Sequence, residues 1–154
     1  MYPAKLIKQK REKVKILLVE DDPNDAELTL RALKDIRLNI EIVHLKDGAE
    51  ALDYIASVNT LSTKKASIPK LILLDLVLPK IGGLQVLRRL KSSFRTKNIP
   101  VVVLTSSKVA IELLESYKLG VNSYVIKPTD PNEFEKLIAQ ISHYWLTINE
   151  PPAA

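Results

Sequence analysis

The stretch LILLDLVLPK, residues 71–80, decides the fold prediction. Seven of the eight residues before Pro79 are aliphatic, and the eighth is Asp75. A short aliphatic run of this kind predicts a strand that is buried on both faces of a sheet. A buried carboxylate is costly unless it is paired, hydrogen-bonded or bound to a cation, so Asp75 needs a partner.

Five such runs alternate with segments of helical spacing. The runs are KILLV (15–19), IEIVHL (40–45), LILLDL (71–76), PVVVLT (100–105) and SYVIKP (123–128). Strands that alternate with helices predict a parallel sheet with crossover helices on both faces. The sequence therefore predicts a doubly wound α/β domain.

Three of the predicted helices begin behind an aspartate that can cap the first turn, namely Asp22, Asp47 and Asp130. Glu50 and Glu133 follow the last two by three residues, a spacing that is typical of a capping box. The five predicted helices cover about 23–36, 48–57, 83–91, 109–119 and 131–147.

Length and composition restrict the class of protein. A chain of 154 residues that is 46% hydrophobic can bury one core, and it has no cysteine for disulfides. No apolar run approaches the roughly 18 residues that span a bilayer, and no apolar signal segment follows the basic N-terminus. These features predict a cytoplasmic protein with no membrane partner.

The charge pattern predicts a basic arm at 1–13, one domain at 14–148 and a tail at 149–154, with no separate output domain. The net charge is +5, and much of the excess lies in the first fifteen residues. No aromatic residues interleave with these charges, and no nucleic-acid-binding motif is present. We therefore expect a solvated surface and no nucleic-acid partner.

Polar residues collect where the predicted strands end. They are Glu20, Asp21 and Asp22 after the first run, Asp75 in the third, Thr105 at the end of the fourth, and Lys127 before Pro128 in the fifth. Parallel strands end at one edge of a sheet, where ligands bind. The sequence therefore predicts a site at this edge.

Carboxylates that converge at one edge repel each other, which favours a hard cation such as Mg²⁺. Asp21 and Asp75 are the candidate direct ligands, Glu20 can hold a metal-bound water, and Asp22 fits better as the helix cap. Lys127 and the Thr105 hydroxyl can contact a phosphoryl group. This set fits phosphoryl transfer to Asp75, which would give an aspartyl phosphate.

The motifs LLVEDD, LILLDLVLPKIGG, VVVLTSS and NSYVIKP, in this order, resemble the receiver domain of bacterial two-component response regulators over residues 14 to about 147. The resemblance implies a flavodoxin-like (βα)5 three-layer sandwich, with a sheet of strand order 2-1-3-4-5. It makes Asp75 the phosphoacceptor and adds the Val77 carbonyl as a metal ligand. It also implies a cis peptide between Lys127 and Pro128, and a switch formed by Thr105 and Tyr124. A receiver is a phosphoacceptor and not an enzyme that acts on other substrates.

DLVLPKIGG, IPVVVLTSS, the pair Tyr144–Trp145 and the long connection at 58–68 are similar to the single-domain regulators associated with phytochromes. That resemblance implies a sensor histidine kinase as partner, with phytochromes among the candidates, or a phosphotransfer protein. It also implies a homodimer through the helix at 109–119, the strand at 123–128 and the helix at 131–147. Two residues depart from the family pattern. Glu20 stands where aspartate is common, and Val77 has no polar side chain.

Four alternative functions compete with a phosphorylated receiver. A flavodoxin-type nucleotide site needs a phosphate cradle after the first strand, and the acidic EDDPND is its opposite. A phosphatase with an aspartyl nucleophile needs an acid at position 77, where valine stands. Direct DNA binding through the arm predicts salt-dependent binding. A receiver fold that acts as an interaction module without phosphorylation stays open.

Overall fold

The computed structural model describes residues 13–60, 64 and 67–152. Most of the predicted arm and part of the connection at 58–68 lie outside these residues, and the division into arm, domain and tail stays a prediction. The strands are β1 (Val14–Val19), β2 (Ile40–Leu45), β3 (Leu71–Leu74), β4 (Val101–Thr105) and β5 (Ser123–Ile126). The α-helices are α1 (Pro23–Lys34), α2 (Gly48–Val58), α3 (Gly83–Ser92), α4 (Ala110–Lys118) and α5 (Pro131–His143), followed by a π-helical segment, Tyr144–Ile148.

The five strands form one parallel sheet in the order β2-β1-β3-β4-β5, as predicted. Strands β3 and β5 end two residues earlier than the aliphatic runs do. Asp75 and Lys127 are therefore the first residues beyond their strands, at the edge where the carboxyl ends meet.

Two hydrophobic cores cover the faces of the sheet, because alternate strand residues point to opposite sides. Leu17 and Val19 face a cluster that is completed by Ala51 and Ile55 of α2 and by Val86, Leu87 and Leu90 of α3. Ile16 and Leu18 face a second cluster, completed by Ala26, Ala32 and Leu33 of α1 and by Phe134 and Ile138 of α5. The result is the three-layer sandwich that the alternating pattern predicts.

The aspartate caps are confirmed. Asp22 accepts hydrogen bonds from the amides of Asn24 (2.8 Å) and Asp25 (3.0 Å), and Asp47 accepts from the Glu50 amide (2.8 Å). Asp130 caps α5 in the same way, through the amides at 132 and 133. These caps fix the helix starts beside the strand ends that carry the polar residues.

The end of α5 differs from the prediction of one helix over 131–147. The α-helix ends at His143, and the five residues Tyr144–Ile148 form a π-helical turn. Trp145 packs against the core between the sheet, α1 and α5, and its ring meets that of Tyr144 edge-on, with centroids 5.0 Å apart. Among the helices that the structure describes, none is long and apolar enough to cross a bilayer.

Candidate functional site

The hydrogen-bond ladder of the sheet extends one residue past three strands and so fixes the site. The Glu20 amide donates to the Leu45 carbonyl (3.0 Å), and the Asp75 amide donates to the Val19 carbonyl (3.0 Å). The Lys127 amide donates to the Thr105 carbonyl (2.8 Å). These hydrogen bonds therefore hold the backbones of Glu20, Asp75 and Lys127 at one edge of the sheet.

Lys127 lies at the centre of a group of carboxylates. Its ammonium nitrogen is 2.9 Å from Oδ2 of Asp75 and 2.8 Å from Oδ2 of Asp25, and it also donates to Oε1 of Glu20. Lys127, Asp75 and Glu20 are 9%, 7% and 3% exposed. Buried charges are expected to be paired, and this pairing accounts for the aspartate that follows β3.

Sequence reasoning missed Asp25 as a member of this group. Asp25 lies in the first turn of α1, three residues after the cap Asp22, at the same edge of the sheet as β1's end. The N-terminal turn of this helix thus supplies a third carboxylate to Lys127. Asp25 lies close in sequence to the acidic end of β1, and this position is the sequence signal that could have identified it.

Glu20, Asp21 and Asp75 form the group suited to a cation, because one carboxylate oxygen from each lies within 4.8 Å of the others. Asp21 is exposed, so the group is open to solvent on one side. Oε2 of Glu20 is buried and has no hydrogen-bond partner. A buried oxygen without a partner fits a place where a bound cation or its water would complete the contacts.

The electrostatics also favour a cation. Burial raises the pKa of Glu20 to about 8, against the opposing effect of Lys127. A hydrogen bond that protonated Glu20 donates to Asp75, and the charge of Asp75, act in the same direction as burial. Burial by itself would lower the pKa of Lys127, but hydrogen bonds to Asp25 and Glu20 and the nearby negative charges raise it. One lysine therefore faces three carboxylates, and a divalent cation would relieve the remaining repulsion.

Thr105 and Tyr124 are each hydrogen-bonded to Ser107, and not to each other. The Thr105 hydroxyl oxygen accepts from the Ser107 amide (3.2 Å), and the Tyr124 hydroxyl donates to the Ser107 carbonyl (3.3 Å). The Ser107 hydroxyl donates to the carboxylate of Glu112 in α4. Thr105 is fully buried and Tyr124 half-buried, so the loop after β4 links the site to α4 and β5.

The loop after β3 is held by contacts that the sequence did not indicate. Lys80 has a φ of 68°, a left-handed conformation that is uncommon for a lysine, and its ammonium pairs with Asp47 at 3.1 Å. The Gly48 amide donates to the Pro79 carbonyl (3.3 Å), and a Cβ at Gly48 would lie 1.9 Å from the Ile81 carbonyl oxygen. The loop that carries Val77 is therefore packed directly on the start of α2.

The expectation of a cis peptide between Lys127 and Pro128 is wrong. This bond is trans, as are all peptide bonds of the described residues. The two isomers of an X–Pro bond differ by only about 0.5–1 kcal/mol, so sequence alone does not decide between them.

Comparisons with known proteins agree with this geometry. The response regulator receiver domain family matches residues 16–139. The probable methanogenesis regulatory protein FilR2 of Methanothrix harundinacea is 41% identical over 137 residues, 89% of this chain and 86% of its own. The response regulator Rcp1 of Synechocystis is 37% identical, over 90% of this chain and 93% of its own.

Solved structures of response regulators are also similar to this chain. The phosphorylated cyanobacterial phytochrome response regulator RcpA superposes with a TM-score of 0.84 at 38% identity, over 92% of this chain and 99% of its own. The Mn²⁺-bound form of Rcp1 has a TM-score of 0.81 at 36% identity, over 91% of this chain and 99% of its own. The chain belongs to the response regulator receiver domain family.

Proposed function

We propose that this protein accepts a phosphoryl group on Asp75 from a sensor histidine kinase or a phosphotransfer protein. The observation that carries the proposal is the contact of the Lys127 ammonium with Asp75 at 2.9 Å, within a group of carboxylates at the edge of the sheet. Because Lys127 is held by three carboxylates at once, it can stay in place while Asp75 reacts.

In this reaction a carboxylate oxygen of Asp75 forms a bond to phosphorus, and the bond from phosphorus to the donor nitrogen or oxygen breaks. Lys127 and the Thr105 hydroxyl then contact the oxygens of the bound phosphoryl group. The product is an acyl phosphate. Its negative charge adds to that of the neighbouring carboxylates Asp21 and Asp25, so the product also depends on positive charge supplied to the site.

The residues fit a divalent cation, and we propose Mg²⁺. Asp21 and Asp75 would be direct ligands with the Val77 carbonyl, and Glu20 would act through a water. When bound, the cation neutralises charge on the transferring group. The unpartnered oxygen of Glu20 supports this assignment, as does the Mn²⁺-bound form of the relative Rcp1.

The route from the site to a partner runs through Thr105 and Tyr124. When Thr105 turns toward the phosphoryl group, its hydroxyl leaves the Ser107 amide, and the loop that also holds Tyr124 changes position. Phosphorylation would thus shift a population between two conformations of the surface formed by α4, β5 and α5.

We propose that this surface forms a homodimer. Its helix α4 buries only one side chain, that of Ser116, and large apolar side chains on and beside it face solvent. They are Val109, Ile111, Leu113, Leu114, Tyr117 and Ile126. A helix that exposes several large apolar side chains is typical of a protein interface, and a second copy would cover them.

A phytochrome is the kinase that we propose first, because the relative RcpA is a phytochrome response regulator. FilR2, at 41% identity, is named as a regulator of methanogenesis, so identity at this level spans different signals.

The experiment that tests the proposal is intact mass spectrometry after incubation with acetyl phosphate and Mg²⁺. We expect one phosphoryl adduct on the native protein, none on Asp75→Asn, and none with EDTA present. Failure to label the native protein, under conditions where a known receiver is labelled, would favour a receiver fold that acts without phosphorylation.

A further inference from the structure

The charges of this chain are segregated along its length. Residues 54–111 hold ten of the 23 lysines and arginines and one of the 18 acidic residues, which is the site residue Asp75. Outside this segment the acidic residues outnumber the basic ones. The positive charge of the chain is therefore concentrated in this segment, although the net charge is only +5.

Part of this excess lies on the outer side of α3 and on the turn that follows it. Arg88 and Arg89 are exposed on α3, and Lys97 is exposed on the turn. Among the ion pairs of the described residues, none includes Arg88, Arg89 or Lys97. Their positive charge is thus available to a partner.

Phe94 lies two residues beyond the end of α3, on the turn that carries Lys97. Its side chain is 81% exposed, more than any other large apolar side chain that the structure describes. The Lys97 ammonium lies over the ring, 5.7 Å from its centroid. Aromatic residues and arginine are enriched at protein interfaces relative to the rest of a protein surface.

The turn that carries Phe94 is fixed to α3. The Thr96 hydroxyl donates to the Leu90 carbonyl (2.8 Å). The Lys91 ammonium donates to the carbonyls of Lys97 (3.3 Å) and Ile99 (3.0 Å). Because these bonds order the turn in the free protein, a partner would bind it at a smaller entropic cost.

We propose that Arg88, Arg89, Phe94 and Lys97, here called the α3 basic surface, bind an acidic protein segment that carries an apolar side chain. Charge complementarity defines the acidic character of the segment, and Phe94 defines its apolar contact. Single-stranded nucleic acids are usually held by several stacked aromatic residues, and an interfacial lipid site uses several apolar residues. This surface has a single aromatic and apolar side chain, that of Phe94. It shares no residue with the site at Asp75 or with the exposed apolar residues on α4.

The test is fluorescence anisotropy with a labelled glutamate-rich peptide that carries a single leucine, titrated with the full chain at low salt. Two variants remove the surface, Arg88→Glu/Arg89→Glu and Phe94→Ala. The matched control is Lys34→Glu/Arg37→Glu, which changes the net charge equally at two exposed residues near the end of α1. Circular dichroism confirms that each variant is folded.

We expect the arginine double variant to weaken binding by about tenfold or more, because a reversed charge repels the peptide. Phe94→Ala should also weaken binding, and the control should bind as the native protein does. Equal loss in both double variants would show a net-charge effect and overturn the proposal. So would unchanged binding by Phe94→Ala, no binding of the peptide, or binding of a single-stranded DNA oligonucleotide in place of the peptide.

Discussion

The ammonium nitrogen of Lys127 lies 2.9 Å from Oδ2 of Asp75, although 52 residues separate them in the chain. The parallel sheet creates this contact, because β3 and β5 both end at the same edge, with β4 between them. The buried aspartate of LILLDLVLPK is therefore paired, and the same pairing places a cation beside the proposed phosphoacceptor.

Lys127→Met should slow phosphorylation by acetyl phosphate by about 100-fold, because a preorganised positive charge on the transferring group is lost. The measurement is the rate of adduct formation by intact mass spectrometry at saturating Mg²⁺. Lys127→Arg is the control that keeps the charge, and it should be less impaired. A Lys127→Met protein that is labelled at the native rate would contradict the role given to this lysine.

Asp47 should make stability depend on pH in the acid range. Its hydrogen bond from the Glu50 amide and its pairing with Lys80 hold its pKa below the ordinary value of 3.8. A carboxyl with a lowered pKa in the folded state stabilises the protein above its unfolded pKa, and this contribution is lost as the pH falls through the folded value.

The comparison for Asp47 is with Asp47→Asn, which keeps a good helix cap but does not titrate. At pH 6.5 the urea midpoint of the native protein should be higher than that of Asp47→Asn. This difference between the two midpoints should shrink as the pH falls below about 3.8. A difference that stays constant down to pH 3 would show that the charge of Asp47 contributes nothing.

Tyr124→Phe should lower the free energy of unfolding by about 1 kcal/mol, because the Ser107 carbonyl loses the hydrogen bond from the Tyr124 hydroxyl. Urea denaturation measures the change. Tyr117→Phe serves as the control, since Tyr117 is exposed on α4. Equal stability of the native protein and Tyr124→Phe would mean that this bond does not hold the loop after β4.

Ile111→Lys/Leu114→Lys should prevent dimer formation, because charges would replace two exposed apolar side chains on α4. Light scattering coupled to size-exclusion chromatography gives the mass in solution. Ile148→Lys, at an exposed position beyond α5, is the control that should keep the native mass. If the double variant and the native protein have the same dimeric mass, the dimer uses another surface.

Much of the fold could be predicted from the sequence because its signals are local. The aliphatic runs mark buried strands, and Asp22, Asp47 and Asp130 mark helix starts. The convergence of Glu20 and Asp75 then follows from parallel topology.

The remaining features depend on tertiary contacts that no local pattern encodes. Asp25 reaches Lys127 only because α1 packs beside β5's end, and Lys80 pairs with Asp47 only because the loop after β3 lies on α2. The trans peptide before Pro128 depends on a small energy difference between isomers, and no local pattern marks the change to a π-helix after His143.

The central claim is that Asp75 carries the phosphoryl group, and the most direct measurement locates the modified residue. The native protein is phosphorylated with acetyl phosphate and Mg²⁺, treated with borohydride, which reduces an acyl phosphate to an alcohol, and mapped by peptide mass spectrometry. We predict homoserine at position 75 and unreduced aspartate at Asp21 and Asp25. Homoserine at any other position, with Asp75 intact, would contradict the account.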